Sequence, residues 1–252
     1  MNIAVGYAGL SNSLKNLINY KRLYGDNIMV FCKDINLNEI FINLKFIHED
    51  PIRFIYNWRF IILNRDNLPD DFSQFDKKNE YKLNGIYGQT KNIDLEFERI
   101  PRNIINDILM HLFSLEINPK ILQITNEFSQ KFNKDTISMH IRSWISDKNP
   151  ETYNDHDRFN KFRLEKYISI IQAKSDKTFF ISTDNEQIKN FILDTCKNVI
   201  FFDRRPDFTN IQNDFIDLLL LSKNDVLYGS ILSTFTEMAW YYSGCNQKVI
   251  FP

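Results

Sequence analysis

The sequence predicts an α/β protein made of two Rossmann-like halves with parallel sheets facing a cleft, and three observations carry that prediction. From Thr136 to the end, short apolar strands alternate with helical stretches, the pattern of a parallel sheet built from right-handed βαβ units. The chain also opens as strand, glycine-containing turn and amphipathic helix, the start of another such unit. Finally, 252 residues with 43% hydrophobic content suffice for two small domains of ~125 residues each, or for one large one.

Element by element, a strand is expected at Asn2 to Val5, followed by the turn Gly6-Tyr7-Ala8-Gly9. The next helix places Leu10, Leu14, Leu17 and Ile18 on one face, the 3.6-residue spacing of a buried stripe. Strands are expected at Ile28 to Phe31 and near Lys45 to Ile47, and the aromatic segment Phe54 to Leu63 reads as a further strand. Asp66 to Lys91 is polar and turn-rich, an irregular loop suited to acceptor binding. Helical patterns follow at Arg102–Phe113 and Lys120–Phe132. Strands then fall at Thr136–Ile141, Thr178–Ser182, Asn198–Phe202, Val226–Tyr228 and Lys248–Phe251. The intervening helices are expected at Phe159–Gln172, Glu186–Cys196, Ile211–Leu221 and Thr236–Tyr242. We place the domain boundary between Phe132 and Asp135, giving an acceptor-side domain over 1–133 and a nucleotide-sugar-binding domain over 134–252.

Composition removes several classes of function. A net charge of −1 without a basic run argues against nucleic-acid binding, which needs clustered phosphate contacts. The three cysteines, Cys32, Cys196 and Cys245, are too scattered for a disulfide framework or zinc site and read as small buried hydrophobes. No apolar run approaches the length of a bilayer-spanning helix, and the amino terminus lacks a basic leader with a long apolar run. A cytoplasmic protein of a reducing compartment is the expectation.

Four short segments sit where parallel strands end, the edge at which open α/β sheets bind ligands. In Thr136-Ile137-Ser138-Met139-His140-Ile141-Arg142 the apolar residues alternate with polar ones, so one face is apolar and the other ends in His140 and Arg142. That basic pair suits an anion, and Arg142 offers a fork of donors matched to a diphosphate; satisfied carbonyls or a salt bridge are the alternative. In Phe179 to Glu186, Thr183 and Glu186 form a T-x-x-E capping box, leaving Asp184 either in an ordinary helix start or facing a base or ribose. Asp217, leading the stripe Leu218-Leu219-Leu220-Leu221, either points at the cleft or satisfies the helix dipole. In Gly229-Ser230-Ile231-Leu232-Ser233-Thr234-Phe235-Thr236-Glu237, Thr234 and Glu237 form a second capping box. Free N–H groups there, with Ser233 and Thr234, make an anion site.

The order and spacing of these four segments resemble the carboxyl-terminal domain of the fucosyltransferase superfamily. Its signature is a His-x-Arg strand, a strand ending in Thr-Asp, an Asp-x-x-x-Leu-Ser segment and a Ser-Thr/Ser-Phe-Ser helix start. The matching positions are His140 and Arg142, Thr183 and Asp184, Asp217 with Leu221-Ser222, and Ser233-Thr234-Phe235-Thr236. Gly9-Leu10-Ser11-Asn12-Ser13-Leu14 also resembles the family's amino-terminal Gly-Leu-Gly-Asn-Arg-Leu loop. The likeness covers Thr136 to Gly244 and, more loosely, the first 25 residues.

This resemblance implies a GT-B fold and inverting, metal-independent transfer of a sugar, fucose first, from a nucleotide-sugar donor, GDP-linked, to a glycan or glycolipid acceptor. It assigns no cofactor. Arg142 is implied to stabilise the leaving diphosphate, Asp184 and Asp217 to hold the base or ribose, and Ser233, Thr234 and Phe235 to meet the phosphates and nearby sugar. His140, Thr183, Gly9 and Asn12 complete the implied donor set. The chain departs from the pattern at Ser13, where many members have Arg, and at Ser143-Trp144, which replaces a second Arg and precedes no matching Asp. Those departures leave open another donor, a UDP- or GDP-linked pentose or deoxyhexose, or a non-catalytic nucleotide- or sugar-binding protein.

An inverting transfer also needs a base within hydrogen-bond reach of the acceptor hydroxyl. Asp147, Asp155 and Asp157 follow the Arg142 strand, and Asp147 is the choice. Asp155-His156-Asp157 has the Asp-x-Asp form that binds a divalent metal in GT-A enzymes, but it lies in a polar loop rather than after an apolar strand and reads as solvated. Arg204-Arg205, flanked by Asp203 and Asp207, reads as a balanced surface pair. The sequence gives no oligomeric state.

Overall fold

The structure is a computed structural model that describes residues 2–6, 9–25, 28–32, 35–46, 102–143, 164–230 and 233–252. They belong to two compact units: Met1–Leu122 with Asp207–Phe215, and Gln123–Pro206 with Ile216–Pro252. The expected strand Phe54–Leu63, the loop Asp66–Lys91, and Asp147, Asp155 and Asp157 lie outside the described residues.

In the first unit, β1 (Asn2–Gly6) and β2 (Ile28–Cys32) pair in parallel, with Asn2 opposite Ile28 and Gly6 opposite Cys32. Helix α1 (Leu10–Tyr24) connects them, and Leu10, Leu14, Leu17 and Ile18 are buried as their spacing requires. The helix ends at Gly25, whose φ of 68° lets its N–H reach back to the Lys21 carbonyl at 2.7 Å. A side chain there would be strained, so glycine stops the helix. Of the strand expected at Lys45–Ile47, the described part is a parallel bridge from Val30 to Phe46. A short 3₁₀ turn, Leu37–Glu39, buries Leu37 and leads into Ile40 and Phe41, and the Phe41 ring meets Phe215 edge-on at 5.4 Å. Helix α2 (Arg102–Phe113) packs on α1, where Asp107 takes the buried Arg22 Nε at 2.9 Å. Helix α3 (Pro119–Ser129) follows, its residues from Gln123 onward belonging to the second unit.

The second unit holds a five-stranded parallel sheet of β3 (Thr136–Ile141), β4 (Thr178–Thr183), β5 (Val199–Phe201), β6 (Val226–Tyr228) and β7 (Lys248–Ile250), in spatial order β5-β4-β3-β6-β7. Its helices are α4 (Leu164–Ala173), α5 (Glu186–Thr195), α6 (Asn210–Leu221), which straddles the two units, and α7 (Thr234–Tyr242). The chain builds outward from β3 to β4 and β5, then returns to the other side of β3 as β6 and β7. The strand order therefore reverses between β3 and β6, which makes their carboxyl ends the ligand position of a doubly wound sheet.

Ile137, Met139 and Ile141 of β3 share a core with Phe179 and Ile181 of β4, Ile168 and Ile171 of α4, and Ile188 and Ile192 of α5. On the alternate positions Phe180 packs with Phe128 and Phe132, and Phe128 meets Phe202 at 5.3 Å. Edge-on and tilted contacts of this kind add to burial through the ring quadrupoles. All six residues of β3 are buried, the polar positions included. Ser138 accepts from Asn224 Nδ2 at 2.9 Å, and His140 is 4% exposed. A central strand covered on both faces satisfies its polar side chains internally.

Candidate functional site

The site forms where β3 and β6 separate. Their pairing runs from Ser138 opposite Leu227 to Met139 opposite Tyr228, and Gly229 then turns away to bond the Ile250 carbonyl at 2.9 Å. Two register steps beyond that last pair, Ile141 would face Ser230. A parallel ladder would there ask the Ser230 backbone to donate to the His140 carbonyl and accept from the Arg142 N–H. The Ser230 hydroxyl performs both tasks: its Oγ donates to the His140 carbonyl at 3.0 Å and accepts from the Arg142 N–H at 2.8 Å. The strands splay while every ladder group at the opening keeps a partner, as burial demands.

The backbone N–H of Ser230, released from the ladder, donates to Thr236 Oγ1 at 3.1 Å. Thr236 Oγ1 lies 2.8 Å from His140 Nδ1. From the opposite face of the sheet, the Tyr167 hydroxyl reaches the Gly229 carbonyl at 3.2 Å and Ser230 Oγ at 3.1 Å. Burial raises the Tyr167 pKa, so this hydroxyl keeps its proton. Gly229 is required by the same closeness, since a Cβ there would sit 2.3 Å from Thr236 Cγ2.

His140 is held neutral. Burial first, and then the charge of Arg142, push its pKa down to about 3. Its ring lies 5.0 Å from that of Phe235 at an interplanar angle of 35°. Imidazole and phenyl thus stack loosely at the start of α7.

Arg142 leaves the strand with a side chain that is 37% exposed. Its Nη1 pairs with Asp184 Oδ2, and Asp184 Oδ1 accepts the Ser143 N–H at 3.0 Å. Consecutive backbone N–H groups of Arg142 and Ser143 are therefore taken by Ser230 and Asp184. An anion at this edge would be met by the guanidinium and by α7 rather than by these two N–H groups. Helix α7 begins at Ser233, whose side chain makes no capping bond. Its first N–H groups have no intrahelical acceptor and carry the positive end of the dipole.

Most of the expected donor residues of the second unit come together around that opening: His140, Arg142, Asp184, Ser233, Thr234 and Phe235 lie on β3, after β4, or at the start of α7. Thr183 is the last residue of β4, and among the described residues its buried Oγ1 has no hydrogen-bond partner. Asp217 is half-buried in α6 between the fully buried Ile216 and Leu218. Gly9 and Asn12 belong to the first unit, Gly9 as the exposed N-cap of α1 and Asn12 in its first turn with a buried Oδ1. Ser13 is buried in α1, where many relatives in the resembled family carry Arg.

Both capping boxes are corrected. The N-cap of α5 is Asn185, whose Oδ1 accepts the Ile188 N–H at 3.0 Å, whereas Thr183 remains in the strand. The N-cap of α7 is Ser233, which shifts Thr234 to the first helical position. The residues to which sequence reasoning gave no role are Ser230, Thr236 and Tyr167. Gly229-Ser230 stood in the fourth segment, but nothing local says that a hydroxyl will replace a ladder partner. Tyr167 is an apolar-face residue of α4 by spacing, and only the tertiary fold reveals its partner.

This is an α/β unit with a parallel doubly wound sheet and an anion-suited opening at its switch point. No protein-family model matches the chain, and no curated protein matches it in sequence. Solved structures do resemble it. NodZ α-1,6-fucosyltransferase soaked with GDP-fucose matches with a TM-score of 0.56 and 14% identity over 95% of this chain and 91% of that one. The fucosyltransferase NodZ from Bradyrhizobium matches at 0.53 and 14% identity, covering 94% and 90%. An Arabidopsis thaliana FUT1 variant in complex with GDP matches at 0.51 and 13% identity, covering 99% and 69%. The fold is α/β and fucosyltransferase-like, of the GT-B-like class. No described helix is long and apolar enough to cross a membrane.

Proposed function

We propose that the chain is a glycosyltransferase that moves a sugar from a nucleoside-diphosphate-linked donor to a glycan or glycolipid acceptor with inversion and without a metal, GDP-fucose being the leading donor. The observation that carries this reading is the half-exposed Arg142 at the β3 edge beside the uncapped start of α7. Two positive elements converge where a diphosphate leaving group would gather charge, and stabilising that charge is the largest electrostatic task of such a transfer. In this reading Arg142 neutralises the diphosphate, while α7 with Ser233 and Thr234 receives its oxygens. Phe235 lies against the sugar or base, and Asp217 takes the ribose or base. Asp184 acts through Arg142 and Ser143, which it already grips. His140 serves as a neutral hydrogen-bonding group, because a buried ring with a pKa near 3 cannot act as a cationic clamp at neutral pH. Asp147 is proposed as the base for the acceptor hydroxyl. Gly9 and Asn12 are proposed as donor contacts from the first unit.

The test is calorimetric titration with GDP, UDP, GDP-fucose and UDP-sugars, followed by a transfer assay on glycan acceptors. GDP and GDP-fucose should bind, and Arg142→Ala should cost roughly a hundredfold or more in transfer rate, as for loss of a principal transition-state donor. Transfer that survives Arg142→Ala within a few-fold refutes the assignment. Binding of UDP alone moves the donor to a UDP-linked sugar. Binding with neither transfer nor donor hydrolysis favours a non-catalytic binder, a reading that the buried Ser13 supports, since that position supplies no cation. Turnover abolished by a chelator and restored by Mn²⁺ would overturn the metal-independent mechanism.

A further inference from the structure

We propose that Ser230, steadied by Tyr167, is the positioning residue that sets Arg142 for the diphosphate; this rests on the proposed function above. Arg142 is the first residue beyond β3, where among the described residues no backbone ladder holds it from the β6 side. Ser230 Oγ supplies the missing partner, fixing the Arg142 N–H at 2.8 Å and the His140 carbonyl at 3.0 Å. The serine is 2% exposed, so water does not replace it. Its hydroxyl hydrogen is committed to the His140 carbonyl, which leaves lone pairs for the Arg142 N–H and for the Tyr167 hydroxyl at 3.1 Å, whose one proton is shared between Ser230 Oγ and the Gly229 carbonyl at 3.2 Å. Ser230 N–H and Thr236 Oγ1 extend the same network into the first turn of α7. The two positive elements of the site, the guanidinium and the helix start, are thereby set at a fixed spacing by one residue, its hydroxyl holding the Arg142 end and its N–H the α7 end. A serine in this place is a precision element, because small displacements of a charge-stabilising group are costly to catalysis.

The experiment is a double-mutant cycle on GDP affinity, with UDP as the second probe, measured by calorimetry on folded protein verified by circular dichroism. Ser230→Ala should weaken binding roughly tenfold in the wild-type background, the size of a lost buried hydrogen bond acting on a charged contact. In the Arg142→Ala background the same substitution should cost less than about twofold, because Ser230 acts through Arg142. Tyr167→Phe, which leaves the ladder substitute in place, should weaken binding by about two- to threefold and likewise lose its effect without Arg142. It decides the matter if Ser230→Ala does not fold. Equal losses in both backgrounds, or no loss in either, overturn the positioning role while leaving nucleotide binding intact. Failure of the wild type to bind either nucleotide overturns the functional reading itself, and the positioning role with it.

Discussion

His140 makes the buried core of the site sensitive to acid, and the size of that effect follows from its setting. The ring is fully enclosed and beside Arg142, and its pKa is about 3 in the folded protein against the ordinary 6.5. In the unfolded chain the ring is solvated and takes up a proton as pH falls below 6.5, whereas in the folded chain it does not. The unfolded state then binds more protons, so stability is complete above pH 6.5 and is lost as pH falls toward 3. At pH 5 the penalty from this one residue is about 2 kcal/mol, rising by about 1.4 kcal/mol per unit at lower pH. The assay is urea unfolding at pH 7, 6 and 5, comparing wild type with His140→Asn. Asparagine puts a polar atom near the Nδ1 position facing Thr236 and does not titrate. The variant will be weaker at every pH through the volume it loses. The informative quantity is the difference in slope, in which the carboxylates common to both proteins cancel. Wild type should lose about 2 kcal/mol more than the variant between pH 7 and 5. Parallel pH profiles would mean that His140 is solvated or paired with an anion, and would refute the neutral, enclosed ring.

Two further substitutions probe the scaffold. Gly229→Ala drives a methyl to within 2.3 Å of Thr236 Cγ2 at the point where β6 turns away. It should destabilise by about 1–3 kcal/mol in thermal unfolding, and an unchanged midpoint would show that β6 and α7 have room to part. Asn185→Ala removes the acceptor for the Ile188 N–H at the start of α5. It should cost about 1 kcal/mol, while Thr183→Ala, from a residue that does not cap the helix, should leave the helix start unaffected; the reverse ranking would restore the Thr183 capping box.

The strands and helices were legible because their signals are local. The spacing of Leu10, Leu14, Leu17 and Ile18 is enough to bury one face of α1, and Arg102–Phe113 is a helix in the structure at the bounds its periodicity predicts. The strand Thr136–Ile141 was equally plain, but the partners of its polar positions were not. Alternation within one strand does not reveal whether a second layer will cover it, and here Thr236, Ser230 and Asn224 arrive from 86 to 96 residues away to meet Ser138 and His140.

The same limit explains the site. The basic residues and the hydroxyl-rich helix start stand out as residue types, so their place at strand ends could be read directly. The Arg142–Asp184 pair could not, because two residues each assigned to a ligand are just as able to satisfy one another across adjacent strands, and β3 and β4 put Ile141 opposite Thr183. That register brings the residues that follow each strand side by side, so a carboxylate after β4 meets the cation after β3 before any ligand arrives. Under the proposed function, that carboxylate acts as a brace that holds Arg142 at the strand edge rather than as a competitor for its anion.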